Sequence, residues 1–239
     1  MKIMTRKRRL SFASVLALAT AVLLLTTAVV CVADVRNAYA GDATASAISV
    51  WDGTSSDTSC YSFATNEIVI NSAAQLRGIA DMSNNGFDFS PYTIRLNTDI
   101  DLNGKDWIPF TNYGGVFDGQ GHTISNGNIK ASDSDGTGFF GRLNKVTTIK
   151  DLVFKKMTTR SDTFLKLAIV AGANSANGTT FKNVDLYNCF VTGNTVYVAN
   201  AGGFYLCDST GAIKIEDCDV YFGVYQSKQS NGIAASING

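Results

Sequence analysis

The chain holds a single histidine, His122, and beyond residue 40 it has no long apolar run, no basic run and no Cys-x-x-Cys pair. Each absence excludes something. Without clustered Lys or Arg there is nothing to neutralise nucleic-acid phosphates or to hold an anionic membrane surface. Without paired cysteines at short spacing, a zinc or dithiol redox site has no ligands. With one histidine and no second base in a recognisable order, a Ser-His-Asp arrangement is not written in the sequence. Proline is scarce too, with Pro91 and Pro109 alone.

What is present begins with the N-terminus. Lys2, Arg6, Lys7, Arg8 and Arg9 form a basic cluster, and Leu10 to Ala33 follows without a charge. Ala38-Tyr39-Ala40 is a small-x-small cleavage site, so residues 1–40 read as a secretory signal removed after Ala40. An uncleaved anchor is the rival, because the apolar run is long enough to span a bilayer. Cys31 follows Val30 rather than a small residue, which disfavours a lipoprotein. Residues 1–40 carry six of the 20 Lys and Arg and one of the 20 Asp and Glu, so the remaining 14 basic and 19 acidic residues leave a net charge of −5. The expected location is secreted or cell-surface, with no membrane insertion after cleavage and no nucleic-acid partner.

Residues 41–66 are rich in Ser, Thr, Asp and Ala and read as a flexible leader. Glu67 to Ile70 reads as a short strand. Asn71 or Ser72 then caps a helix in which Ala73, Leu76, Ile79 and Ala80 recur at helical spacing, and Asn84-Asn85-Gly86 stops it. From Tyr92 the period becomes two. Ile94, Leu96, Ile100 and Leu102 alternate with polar residues, as in a strand with one buried face. Short strands follow around Val116-Phe117, Thr123-Ile124, Phe139-Phe140 and Ile149 to Phe154. Asn-Gly and Asp-Gly pairs separate them.

Two patterns repeat between Ile124 and the end. The first is apolar-x-Asn/Asp, at Ile124-Ser-Asn126, Ile149-Lys-Asp151, Phe181-Lys-Asn183 and Ile215-Glu-Asp217. The second is a glycine-flanked apolar pair, at Gly138-Phe-Phe-Gly141, Ala168 to Gly172, Gly202 to Tyr205 and Gly232-Ile-Ala234. Alternation at a period near thirty predicts an all-β solenoid over residues 67–239, each turn burying its inner face on the next. The Asn or Asp would sit at a bend and bond its stacked copy. A sandwich of hairpins is the alternative.

Ile70 to Leu76, Asp99 to Leu102, Trp107-Ile-Pro109, and above all Gly115 to Ile124, resemble the opening of a bacterial surface module. The later Gly-apolar-apolar units resemble the GLUG-type repeats of secreted adhesins, although Val170-Ala-Gly and Tyr205-Leu-Cys depart from their usual form. That resemblance implies a right-handed parallel β-helix, export and a scaffold role, with the helix near 72–84 as an N-terminal cap. It implies no particular chemistry. Asn231 to Gly239 reads like the start of another repeat, which suggests a chain that continues or an end that meets another protein.

Candidate sites stand beside blander readings. Asp99, Asp101 and Asn103 have the D-x-D-x-N-G form of a calcium loop, but Phe110 stands where that loop needs a bidentate Glu, which favours a strand face ending in a turn. His122 with Asp118 is a candidate acid–base pair, although Asp118 to Gly121 is ordinary turn chemistry. Asp99, Asp101, Asp118, Asp133 and Asp135 supply carboxylates for a glycosidase, and Arg95 and Arg142 a base for a lyase, but the spacing selects no pair. Tyr187, Tyr197, Tyr205, Tyr221 and Tyr225 offer aromatic faces for a sugar or peptide. Cys207 and Cys218 are spaced to close one turn of the chain. No catalytic, cofactor-binding or metal residue is assigned. The expected function is an adhesive scaffold for an extracellular glycan or protein ligand, and the alternative is a carbohydrate-active enzyme.

Overall fold

The computed structural model describes residues 47–62, 64–130, 136–161, 166–193, 205–222 and 224–226. The signal segment 1–40, Asp133, Asp135, Tyr197 and the Gly232 unit lie outside the described residues. Strand β1 (Ser49–Val50) comes first, then β2 (Glu67–Ile70) and the helix α1 (Ala73–Asn84). The chain then repeats an order of stations. The second repeat holds β3 (Thr93–Leu96), β4 (Ile100–Asp101) and β5 (Asp106–Trp107). The third holds β6 (Gly115–Asp118), β7 (Thr123–Ser125), β8 (Asn128–Lys130) and β9 (Phe140–Leu143). The fourth holds β10 (Thr147–Lys155), β11 (Thr158–Ser161) and β12 (Ala171–Asn174). The fifth holds β13 (Thr179–Tyr187), β14 (Phe190–Gly193) and β15 (Leu206–Ser209), and the sixth holds β16 (Ile213–Glu216), β17 (Val220–Tyr221) and β18 (Val224–Gln226).

Three sheets result, and every pairing among the described strands is parallel. The fold is all-β with one helix among the described residues. No helix there is long and apolar enough to cross a membrane. In the first sheet Ile94 pairs with Phe117, Phe117 with Ile149, Ile149 with Phe181 and Phe181 with Ile215. All but Ile215 are buried. The inward column is therefore apolar at each step, as a parallel sheet with one covered face requires.

Bends between stations use left-handed residues. Gln120, Asp151, Asn183 and Asp217 turn the chain within the first sheet, with φ between 50° and 51°. Asn103, Asn126, Lys156, Asn188 and Phe222 turn it from the first sheet to the second, with φ between 51° and 57°. Asn and Asp visit this region at low cost, because their short polar side chains bond locally. One stacked pair bonds as expected, Asn183 Nδ2 donating to Asp151 Oδ1 at 2.8 Å, whereas Asn126 Nδ2 donates to Asp101 Oδ1 at 3.0 Å, two residues before its stacked copy Asn103.

One expected equivalence is corrected. Ile149, Phe181 and Ile215 share a register, but Ile124 pairs with Phe154 in the next station. Both bends follow a buried apolar residue and one spacer, so both carry the same local signature. The alternating stretch 93–102 is also two strands rather than one, divided at Asn97 to Asp99, with Thr98 buried and bonded to the Ala47 carbonyl.

The stretch expected as a leader is packed from Ala47 onward. β1 pairs with β4, and Trp51, 3 % exposed, meets Trp107 edge-on at 6.0 Å. Its Ser and Asp residues make turns: Asp52 accepts the Thr54 and Ser55 amides, and Asp57 accepts that of Ser59. A composition that reads as disorder is here local turn chemistry around one aromatic anchor.

Ser72 caps α1 by accepting from the Gln75 amide, and Asn85 closes it. Its Leu76, Ile79 and Ala80 join the apolar core, and Arg77 lies over the Trp107 ring while pairing with Asp81. The core is aromatic. Trp107 stacks on Phe139 at 4.6 Å, Phe110 on Phe140 at 5.2 Å, and Phe139 touches Phe154 at 5.1 Å. Each such side chain contributes about 2–3 kcal/mol by burial. In the third sheet Gly172 is demanded by contact, since a Cβ there would lie 2.0 Å from the Thr137 amide nitrogen.

Candidate ligand-binding face

Between the two bends the first sheet presents a flat outer face. Ile100, Ile124, Phe154 and Leu186 point inward and are buried. The residues one place on form an outward column in register: Asp101, Ser125, Lys155, Tyr187 and Tyr221. Parallel strands lie about 4.8 Å apart, so this column offers a polar group at each step. At its N-terminal end a cavity of about 230 Å³ is lined by Asp99, Asp101, Thr123, Ser125, Lys155 and Lys156 among others. At its C-terminal end Tyr187 and Tyr221 stack at 4.5 Å with their planes 7° apart.

The sequence candidates fall on both sides of this face. Asp99 Oδ1 accepts from the Thr123 amide at 2.9 Å and lies 3.0 Å from His122 Nδ1. Asp101 Oδ1 accepts from the Asn103 amide at 2.7 Å, which closes an Asx turn. Asn103 turns away, its Nδ2 donating to the Trp51 carbonyl at 3.4 Å. The three residues of the calcium pattern therefore do not converge, and no group of three or more metal-ligating side chains occurs among the described residues.

His122 is paired, but with Asp99 and not with Asp118. Asp118 lies across the bend on the other half of the sheet, where Lys150 Nζ approaches it at 2.8 Å and Arg95 Nε at 3.7 Å. Arg95 in turn pairs with Glu67, so this second face is a ladder of mutual ion pairs. The Asp118 bonds hold the Lys150 ammonium above its ordinary pKa. Arg142 stands apart, on β9 in the third sheet.

The tyrosines divide. Tyr221 is 36 % exposed and its hydroxyl donates to Asp219 at 3.1 Å, a bond that pushes the phenol up to about 12. Tyr205 is a core residue instead, fully buried, with its hydroxyl bonded to the Val184 and Asp219 carbonyls. Its aromatic ring fills the same role as the inward phenylalanines, so it offers no face to a ligand. The side chains of Tyr225 and Cys207 lie outside the described residues.

Asp185 sits beside Asp219 on this face. Burial pushes its carboxyl up, the Asp219 N–H bond opposes this, and the Asp219 charge adds to it. Cys218 is a free thiol whose Sγ accepts from the Val184 amide at 3.4 Å; the side chain of Cys207, the partner its spacing allows, lies outside the described residues. Cys60 and Cys189 are also free.

Lys155, Lys156, Thr123 and Ser125 were not singled out by sequence. Their signal is register: once Ile124 is set opposite Phe154, Ser125 and Lys155 must be neighbours. Chemically the face combines carboxylate acceptors, hydroxyls, ammonium donors and an aromatic pair, a set suited to holding a polyhydroxylated ligand. No protein-family model, no curated protein and no solved structure matches the chain.

Proposed function

We propose that the chain is an exported, cell-surface or secreted scaffold that binds an extracellular glycan or protein ligand on this face. In this reading residues 1–40 are removed as a signal. The repeats wind as a right-handed parallel β-helix of the GLUG-type adhesin kind, and α1 covers its N-terminal end. The constant parallel register, the left-handed Asn and Asp bends, and the apolar inward columns all support that winding.

The observation that carries the binding reading is the in-register column Asp101, Ser125, Lys155, Tyr187 and Tyr221, with a cavity at one end and stacked tyrosines at the other. Hydrogen-bonding groups at strand spacing, beside an apolar ring pair, suit sugars better than they suit a flat protein partner. A glycan array probed with the mature chain tests it, the expected result being saturable binding to a restricted set of glycans. An array without a single specific signal would remove the glycan reading. A carbohydrate-active enzyme is the second reading, favoured by Asp99 and Asp101 lining one cavity. Time-dependent product release from a polysaccharide panel would establish it.

A further inference from the structure

Several cations among the described residues are paired with carboxylates. Arg77 meets Asp81, Arg95 meets Glu67, Lys145 meets Asp88, Lys150 meets Asp118 and Lys214 meets Glu216. Lys105, Lys130, Lys155, Lys156 and Lys182 form no ion pair with a carboxylate among the described residues, and all five are exposed. Lys130, Lys155 and Lys156 fall on elements that adjoin the bends between the first and second sheets. Lys155 ends β10, Lys156 is the bend itself with φ 52°, and Lys130 on β8 is the register partner of Arg160 on β11.

These four residues wrap the bend between the first and second sheets in the third and fourth repeats. A cavity opens on each side of it. Lys155 and Lys156 line the one already described, and Lys130 and Arg160 line a second, of about 440 Å³, with Asn128 and Thr158. Two cations placed side by side on neighbouring parallel strands repel one another. A chain with a net charge of −5 beyond residue 40 has concentrated positive charge at one place.

The acids near this band narrow the ligand. Asp99, Asp101 and Asp106 line the two cavities, and all belong to the preceding repeat. Carboxylates there accept hydrogen bonds from hydroxyls and repel a polyanion as densely charged as a sulfated glycan or a nucleic acid. A ligand that suits both parts carries hydroxyl groups and carboxylates together.

We propose that this bend binds an acidic polysaccharide, its carboxylates on Lys130, Lys155, Lys156 and Arg160 and its hydroxyls on the acids of the preceding repeat. The proposal rests on the glycan-binding reading above and names the class of glycan.

The test uses the mature chain with four probes: polygalacturonate, a neutral galactan, heparin and a single-stranded DNA oligonucleotide. The triple variant Lys130→Gln, Lys155→Gln, Lys156→Asn removes the charge and keeps a residue suited to the bend, since Asn126 and Asn188 hold the equivalent positions. Polygalacturonate is expected to bind at low salt and to weaken about tenfold or more between 50 and 200 mM salt. The triple variant is expected to lose about tenfold in affinity, and Lys214→Gln to lose none. Heparin and DNA are expected to bind more weakly than polygalacturonate. Equal affinity of wild type and triple variant overturns the proposal, as does DNA or heparin binding at least as tightly as polygalacturonate. Galactan binding without polygalacturonate binding overturns it while leaving the glycan face standing. No binding to any glycan overturns both. Should the triple variant fail to fold, Lys130→Gln and Lys155→Gln singly, at exposed strand positions, carry the same comparison.

Discussion

Asn183 separates two contributions that hold the bend in the first sheet. Its φ of 51° is left-handed, and its side chain donates to Asp151 one repeat earlier at 2.8 Å. Alanine loses the bond and strains the backbone. The left-handed conformation costs an ordinary residue about 1–2 kcal/mol, and the exposed hydrogen bond is worth about 0.5 kcal/mol, at the low end for its kind. Asn183→Ala is therefore expected to destabilise by about 1.5–2.5 kcal/mol. Glycine also loses the bond, but adopts the bend freely. Its extra unfolded-state freedom costs about 0.5 kcal/mol, so Asn183→Gly is expected to cost about 1 kcal/mol. For a chain of this size 1 kcal/mol moves Tm by about 2–4 °C. Thermal unfolding followed by circular dichroism should place alanine about 4–8 °C below wild type and glycine about 2–4 °C below. An alanine variant as stable as wild type, or more stable than the glycine variant, would refute the bend argument.

Three further outcomes are expected. Gly172→Ala should cost about 3 kcal/mol or prevent folding, because its Cβ meets the Thr137 backbone nitrogen; an unchanged urea midpoint would show that the third sheet is not packed this closely. Asp185 has a raised carboxyl pKa in the folded chain, so the native state holds its proton more tightly than the unfolded state does. Wild-type stability from this group thus increases as pH falls through the folded value toward the ordinary one of about 3.9. Asp185→Asn should accordingly be more stable than wild type at pH 7, and a gap that fails to shrink by pH 4 would count against the burial argument. Burial pushes the Cys189 thiol up to about 11. Iodoacetamide at pH 8 should spare Cys189 in the native chain and modify both Cys189 and Cys218 after denaturation without reductant, and a disulfide-linked peptide containing Cys218 would contradict the free thiol.

How much was legible depended on whether a signal was local. The helix was, since its apolar spacing and Ser72 cap lie within one stretch of sequence. The bends at Asp151, Asn183 and Asp217 were too, because Asn and Asp announce left-handed backbone. Lys156 and Phe222 occupy the same conformation with no such signature, and only the register of their neighbours reveals them. Ile124 was aligned with the wrong bend because two stations share one local pattern. Trp51 was missed as an anchor because a two-residue strand beside it carries no period. The partner of His122 is illegible for a related reason: Asp118 is the carboxylate near in sequence, whereas Asp99 is brought beside it by one step of parallel register. The positive bend was illegible because its four cations come from positions 130 to 160 and meet only when strands stack.

The central claim is that the outer face holds a glycan without transforming it. The direct measurement takes the glycan with the strongest array signal and follows calorimetric binding and reducing-end release in one sample of the mature chain. Saturable heat, weakened about tenfold by Tyr221→Ala with Lys155→Gln, and a flat product trace are the predicted result. Product that accumulates with time and with protein concentration would contradict the scaffold, and an absence of binding heat would contradict the face.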